Sequence, residues 1–184
     1  NTINNLTTTC LLAKSSVSSM SLGNISIYGI YANSTTTNSL ISSNVIFGLK
    51  NTSTTTASHI LGIYATAPTT TYTNIIEKNS IYNLGFSGSS TSVITTVQGI
   101  LTPSTATICT IKNNTIRLGY DASGTQLNNG MYIYGIYDQT TTSGSMNIWH
   151  NTVYIGGNAV ASTAYPTYCF VSTATTPTRL FQNN

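Results

Sequence analysis

Apolar and polar residues alternate along short stretches of this chain, and runs of threonine, serine and glycine separate the stretches. Around residue 45, for example, Ile41, Ile46 and Leu49 are interleaved with polar or small residues. Such period-two patterns, rich in β-branched and aromatic residues, are typical of β-strands that bury one face. Serine- and glycine-rich runs such as 87–90 and 143–145 are typical of turns. No stretch has the period of an amphipathic helix, so the pattern predicts an all-β protein.

The strand pattern repeats with a period near 35 residues. The asparagines of an Asn-x-(Ile/Val) motif are 35, 35 and 37 residues apart, at Asn44, Asn79, Asn114 and Asn151. An aliphatic residue stands three positions before each of them, and Leu180 before Asn183 continues this spacing. The glycines of a Gly-Ile-(Tyr/Leu) motif are 33, 37 and 36 residues apart, at Gly29, Gly62, Gly99 and Gly135. Landmarks that alternate in fixed order indicate one recurring structural unit, with a degenerate copy of the second motif at residues 169–171.

Short strands at one fixed spacing predict a solenoid, in which each repeat forms a coil that stacks on the next. Equivalent residues then form columns with a spacing of about 4.8 Å. We expect the Asn column at a sharp corner, with asparagine itself in the left-handed backbone region. The Gly column is expected either to bend the chain or to let two backbones approach closely. An inward-facing column is predicted at Ile30, Ile63, Ile100, Ile136 and Phe170.

Composition fits the stacked columns. Threonine (35), serine (23) and asparagine (20) dominate the 184 residues, whereas Asp, Glu, Lys and Arg together make up 5 %. Columns of like charges would repel, while columns of Asn, Thr, Ile or Tyr reinforce one another. The six cations are scattered along the sequence and form no basic patch that would bind nucleic acid. No apolar run reaches the roughly 18 residues of a membrane span, so we expect neither a nucleic-acid partner nor a span.

Two units carry a resemblance to a known family. Residues 112–116 (Lys-Asn-Asn-Thr-Ile) and 150–157 (His-Asn-Thr-Val-Tyr-Ile-Gly-Gly) resemble the right-handed parallel β-helix repeats of pectate-lyase-like proteins. They are most similar to the Thr/Asn-rich arrays of large secreted surface proteins from Bacteroidetes-type bacteria. The resemblance implies a right-handed parallel β-helix of about five coils over residues 1–184. Both termini read as strands, so we expect a single segment cut from a longer chain, which the resemblance places outside the cell or at its surface. The 28 residues from the first strand to Gly29 exceed the usual spacing and suggest an insertion near residues 15–21.

Candidate catalytic groups are few and dispersed. The carboxylates are Glu77, Asp121 and Asp138, and no two of them occupy equivalent positions of the repeat. A carboxylate pair for glycoside cleavage needs a separation of about 5–10 Å, and Ca²⁺ needs several oxygen ligands. His59 and His150 are also non-equivalent. We therefore expect no catalytic residue, no metal site, no cofactor and no enzyme activity.

The three cysteines, Cys10, Cys109 and Cys169, are odd in number and widely spaced. This spacing is neither a disulfide framework nor a zinc site. Because Cys109 and Cys169 lie in apolar runs, we predict that both are small buried core residues. A disulfide between these two cysteines is the alternative.

Two sets of residues are candidates for surface binding. A Thr-x-Thr landmark would form parallel columns that resemble the ice-binding faces of some antifreeze proteins. It comprises Thr35, Thr37, Thr69, Thr71, Thr105, Thr107, Thr140 and Thr142. The tyrosines that follow the Gly-Ile pairs, Tyr31, Tyr64 and Tyr137, would stack on sugar rings. Each set also has a structural interpretation, as good strand residues or as an aromatic ladder that stiffens the fold.

Lys78, Lys112 and His150 are predicted to share a further column, either as a weak basic stripe or as a solubilising edge. The sequence as a whole favours a structural role as a β-helical stalk, adhesin shaft or filament subunit, with end-to-end or lateral self-association. The alternative is a module that binds a glycan or another surface. A third interpretation is a fragment of a polysaccharide-degrading enzyme.

Overall fold

In a computed structural model, the chain forms a parallel β-solenoid. The structure describes residues 1–4, 7–8, 27–33, 37–52, 59–66, 71–86, 95–103, 106–128, 130–140, 143–157, 165–173 and 178–184. Within these ranges there are 18 strands and no helix, and all strand pairs of the four sheets are parallel. The predicted all-β solenoid with a period near 35 residues is confirmed. The insertion expected near residues 15–21 lies outside the described residues.

The chain visits four sheets in a fixed order. Sheet 1 contains β1 (Thr2–Asn4), β5 (Val45–Phe47), β9 (Ser80–Tyr82), β13 (Thr115–Leu118) and β16 (Thr152–Ile155). Sheet 2 contains β2 (Thr7–Thr8), β6 (Lys50–Asn51) and β10 (Gly85–Phe86). Sheet 3 contains β3 (Ile27–Asn33), β7 (His59–Thr66), β11 (Thr96–Thr102), β14 (Tyr132–Asp138) and β17 (Thr167–Ser172). Sheet 4 contains β4 (Ser39–Ser42), β8 (Thr73–Glu77), β12 (Ala106–Lys112), β15 (Ser143–Trp149) and β18 (Thr178–Gln182).

Isoleucine columns fill the interior of the solenoid. Ile46, Ile81 and Ile116 of sheet 1 are in register and completely buried. The inward column predicted for sheet 3 is confirmed, since its members are in register and lie in the core or pack against it: Ile30, Ile63, Ile100, Ile136 and Phe170. Burying one such side chain contributes about 1.5–3 kcal/mol, so the repeated isoleucines hold successive coils together.

The glycine column of sheet 3 allows successive coils to approach closely. A Cβ atom on Gly62 would lie 2.6 Å from the carbonyl oxygen of Gly99, and one on Gly99 would lie 2.5 Å from that of Gly135. The column glycines are not among the described residues with positive φ, so close approach and not a left-handed bend explains them. The column also interrupts the alternation of the strand, because Ile60 and Ile63 both face the core although they are three residues apart.

Replacing Gly99 by alanine is expected to lower the free energy of unfolding by about 1–3 kcal/mol, the usual cost of overpacking. The new methyl group would lie 2.5 Å from the Gly135 carbonyl oxygen and 2.7 Å from Cγ2 of Ile116. Urea unfolding followed by circular dichroism measures the change. Thr115→Ala, at an exposed position of β13, is the control and should change stability by no more than about 0.5 kcal/mol. Equal stabilities of the two variants would contradict the close-packing role.

Candidate functional site

The predicted asparagine column forms a hydrogen-bonded ladder at the corner between sheets 4 and 1. The backbone N–H and the Nδ2 of Asn79 both donate to Oδ1 of Asn114, each at 3.0 Å. Asn114 donates in the same way to Asn151, at 3.1 and 2.9 Å. Its Nδ2 also bonds to the carbonyl oxygen of Ile76 at 2.9 Å. The four predicted asparagines, Asn44 included, are buried, so the ladder is an internal scaffold.

The ladder has two further members at its ends. Asn1 Nδ2 donates to Oδ1 of Asn44 at 3.2 Å, and Asn151 Nδ2 donates to Oδ1 of Asn184 at 3.0 Å. The aliphatic spacing points to Asn183 as the last member, which is wrong. Ile148 pairs with Phe181 and not with Leu180, and this register shifts the column by one residue.

The residue before each ladder asparagine makes the left-handed turn. The φ angles are 59° at Ser43, 56° at Lys78, 56° at Asn113, 55° at His150 and 49° at Asn183. The expectation that the ladder asparagine itself adopts this region is therefore wrong. Its own N–H and side chain must point along the solenoid axis to reach the next coil, which leaves the turn to its neighbour.

Lys112 does not share the corner column of Lys78 and His150. It lies on β12, one position earlier, where its Nζ is 3.2 Å from Oε2 of Glu77. The hydrogen bond and positive charge of Lys112 hold the pKa of Glu77 below its usual range. The basic stripe predicted from the sequence is thus divided between two columns, and its lysines both neighbour one carboxylate.

The candidate threonine columns are only partly covered by the described residues. Thr35, Thr69, Thr105 and Thr142 lie outside them, and the side chain of Thr107 is not described. Thr37 and Thr71 are exposed at bends or turns before β4 and β8. Thr140 is completely buried, with its backbone N–H bonded to Asp138 Oδ1 at 3.0 Å. Its assignment to a binding surface is therefore wrong, because its side chain does not reach solvent.

The candidate tyrosines stack mainly on each other. The rings of Tyr31 and Tyr64 are 5.0 Å apart and nearly parallel, and Tyr64 is 7 % exposed, which removes it from the surface set. Tyr137 is half-buried and contacts Tyr134 with ring centroids 4.9 Å apart. Leu101 occupies the register position between Tyr64 and Tyr137. The aromatic column is therefore interrupted, and mutual stacking favours its structural interpretation.

Burial also changes the chemistry of these phenols. Desolvation, with a smaller contribution from Tyr31, raises the pKa of Tyr64. Desolvation likewise raises the pKa of Tyr28 and of Tyr134 well above the ordinary value. The raised pKa values reflect an apolar environment that favours the neutral phenol, which agrees with a packing role for these rings.

The carboxylates lie in three separate environments. Asp138 is completely buried on β14, and its Oδ2 accepts hydrogen bonds from Nε of Arg179 and from Oγ of Ser172, the latter at 2.8 Å. Glu77 is half-buried beside Lys78 and Lys112. In the part of the chain that the structure describes, no cluster of three or more His, Cys, Asp or Glu side chains is placed to hold a metal ion.

Asp121 organises the loop that follows sheet 1 in the fourth repeat. Its Oδ1 accepts hydrogen bonds from Oγ of Ser123 at 2.6 Å and from the backbone N–H of Ser123 and Thr125 at 2.8 Å. Burial raises the pKa of Asp121, but these hydrogen bonds outweigh that effect and leave the pKa below its usual value. The carboxylate thus closes a tight loop.

The two described cysteines are both free, so the Cys109–Cys169 disulfide is excluded. Cys109 is completely buried on β12, as predicted. Cys169 is exposed, so its prediction as a core residue is wrong. It stands in the glycine column at the outermost strand of sheet 3, where its backbone carbonyl faces Gly135. Cys10 lies outside the described residues.

Thiol labelling should separate these two cysteines in a Cys10→Ser variant. Burial, followed by the charge of Asp138, raises the pKa of the Cys109 thiol to about 12, and only the thiolate is reactive. We expect one label per chain at pH 8, at Cys169, and a second only after unfolding. Mass spectrometry of the labelled protein measures this, with Cys169→Ser as the unlabelled control. Rapid labelling of Cys109 in the folded protein would contradict its burial.

A cluster that the sequence interpretation missed lies on the outer face of sheet 1. Arg117 pairs in register with Tyr82 on one side and Tyr154 on the other. Its guanidinium carbon is 3.7 Å from the ring centroid of Tyr120, and its Nη1 donates to Oδ1 of Asn83 at 3.1 Å. Aligning the repeats would have revealed the Tyr82–Arg117–Tyr154 column, but the approach of Tyr120 depends on an irregular loop.

Hydrogen bonding couples the two phenols of this cluster. A hydrogen bond from Tyr154, then one from Arg117 together with its charge, lowers the pKa of Tyr120. The same contact with Tyr120 raises the pKa of Tyr154. The Tyr154 side chain is 53 % exposed and Arg117 is half-buried, so this cluster presents an aromatic ring to solvent beside a partly accessible cation.

Comparison of the chain with protein-family models, with curated proteins and with solved structures gives no match. The solenoid class therefore stands on the structure itself, and the resemblance to bacterial surface arrays stands on the sequence motifs. Among the described residues, no helix has the length and apolar character needed to cross a membrane.

Proposed function

We propose that this chain is a structural segment of an extracellular or cell-surface protein, acting as a stalk, an adhesin shaft or a filament subunit. The observation that carries the proposal is the asparagine ladder, which links six successive corners from Asn1 to Asn184 through side-chain hydrogen bonds that are buried between Asn44 and Asn151 and partly buried at the two ends. The resemblance to Thr/Asn-rich arrays of Bacteroidetes-type surface proteins, and with it a right-handed β-helix, belongs to the same proposal. No catalytic role is part of it.

The physical basis of the proposal is a rod in which parallel sheets and a shared core join each coil to the next. Three parallel sheets of five strands each run along the axis, and the isoleucine core is continuous between them. In a solenoid, each coil contacts only its neighbours, so stiffness arises from the repeated interfaces. A surface with few charges tolerates close packing, since equivalent positions do not repel one another.

The outer strands of the sheets support self-association as part of this function. Strands at sheet edges present unpaired backbone groups that pair readily with another chain. At one end Tyr31 and Leu40 are exposed on β3 and β4, and at the other Leu180 and Phe181 are exposed on β18. These strand edges and apolar side chains would pair with a further coil, whether of the same array or of a second copy, and so they favour end-to-end contact.

Negative-stain electron microscopy, together with sedimentation at two concentrations, tests the proposal. We expect rods that lengthen with concentration, and shorter particles for the double variant Leu180→Ser/Phe181→Ser. The matched control is Thr115→Ser/Thr152→Ser, which changes two exposed positions on sheet 1 and should leave particle length unaltered. Monodisperse short particles at both concentrations would overturn the filament version and leave the stalk version.

A further inference from the structure

The cluster on the outer face of sheet 1 has the composition of a binding site, and we call it the Arg117 site. It consists of Arg117, Tyr120, Tyr154 and Asn83, described above. Strand β13 supplies the arginine, β16 supplies Tyr154, and the loop after β13 supplies Tyr120. Asn83 follows β9, so the site draws on three successive coils and on the loop in which the fourth repeat departs from its neighbours.

Arg117 is a cation without a carboxylate partner among the described residues. The ion pairs within 4.0 Å there join Lys78 and Lys112 to Glu77, and Arg179 to Asp138. Asp121, which follows Tyr120, is already bound by the N–H and hydroxyl groups of its own loop. The guanidinium therefore keeps its full charge for a ligand.

The guanidinium is also held in place before any ligand arrives. It lies over the Tyr120 ring, where cation–π attraction contributes about 0.5–2 kcal/mol, and Asn83 accepts one of its hydrogen bonds. Arginine has five N–H donors in a planar fork that matches a carboxylate. Because the fork is ordered in advance, little rotamer entropy is lost on binding.

The neighbouring aromatic ring indicates what carries the carboxylate. Tyr154 lies next to Arg117 in register and stacks on Tyr120 with ring centroids 6.5 Å apart, yet its side chain remains more than half exposed. A large ring with an apolar body and a polar tip suits the face of a pyranose, which has C–H groups and hydroxyls.

We propose that the Arg117 site binds a carboxylate-bearing sugar residue of an acidic glycan. The carboxylate accepts paired hydrogen bonds from Arg117, the sugar ring packs against Tyr154, and Tyr120 and Asn83 fix the orientation of the guanidinium. This inference goes beyond the structural function and does not depend on filament formation, because the site lies on a lateral face of the coils.

Isothermal titration calorimetry with a glucuronate-containing tetrasaccharide tests this site in the 184-residue chain. We expect binding that weakens with salt, about a tenfold loss of affinity for Arg117→Lys, and a larger loss for Arg117→Gln. Tyr154→Ser should also weaken binding at least severalfold. Lys112→Gln, which removes a cation from sheet 4, is the matched control and should bind like the unmodified chain.

Titrations with other glycans test whether the site recognises the carboxylate, any anion or the sugar alone. A neutral tetrasaccharide should bind at least tenfold more weakly. A sulfated one of the same charge should bind more weakly than the carboxylated one, because a sulfate ester is a weaker hydrogen-bond acceptor than a carboxylate. Equal binding of neutral or sulfated glycans, no binding of the carboxylated one, or affinity unchanged in both Arg117→Gln and Tyr154→Ser would overturn the proposal. Circular dichroism of each variant confirms that it remains folded.

Discussion

Replacing Asn114 by alanine is expected to lower the free energy of unfolding by about 3–5 kcal/mol. The side chain sits in the middle of the ladder and is 1 % exposed. Without its Oδ1, the backbone N–H of Asn79 loses its acceptor inside the protein. Without its Nδ2, the carbonyl oxygens of Ile76 and Lys112 each lose a donor. Each buried group left without a partner costs about 1–3 kcal/mol.

Urea unfolding measures this change, and Asn128→Ala is the matched control. Asn128 is exposed, so the same chemical substitution there should change stability by no more than about 0.5 kcal/mol. Because the ladder links coils in both directions, hydrogen exchange in Asn114→Ala should accelerate at residues 79–82 and 114–118 together. A loss of stability equal to that of Asn128→Ala would refute the scaffolding role of the ladder.

The columns could be predicted from the sequence because they depend on spacing alone. Residues such as Ile46, Ile81 and Ile116 recur at the repeat distance and bury the same face in every coil. The same spacing identifies the ladder asparagines Asn44, Asn79, Asn114 and Asn151 as one column. Stacking enforces one register, since a slip of one residue would turn an entire strand inside out.

Features that differ from coil to coil could not be predicted in this way. Thr140 and Asp138 have polar side chains, which are typical of a surface, yet both are completely buried, and Asp138 pairs with Arg179. The arginine that pairs with Asp138 comes from a strand 41 residues away. The Arg117 site could not be predicted for the same reason, because Tyr120 reaches the arginine from a loop and not from a repeated strand. Spacing gives no information on such contacts.

Replacing Arg179 by methionine is expected to lower the free energy of unfolding by about 3–5 kcal/mol, the cost of leaving a buried charge unpaired. The Asp138 side chain has no exposed surface, and Arg179 is 12 % exposed. The pair joins β14 to β18, while Ser172 of β17 bonds to the same carboxylate oxygen. Arg179→Met leaves Asp138 with neutral donors only, which compensate a buried carboxylate poorly.

The double variant Asp138→Asn/Arg179→Met should recover most of this loss, because replacing both members of a buried pair is often close to neutral. Lys112→Met, which removes one partner of the partly exposed Glu77 pair, is the control and should cost no more than about 1 kcal/mol. If Arg179→Met and Lys112→Met were equally stable, the buried pair would contribute no more than a surface contact.

Hydrogen exchange in Arg179→Met should reveal where the lost stability acts. In a solenoid, stability is approximately a sum over coils and their interfaces, so a weakened last interface should open by itself. We expect faster exchange at β17 and β18, with β9 and β13 still protected. Faster exchange throughout the chain would instead mean that the coils unfold as one cooperative unit. The Asp138–Arg179 pair thus tests whether this rod opens from one end or only as a whole.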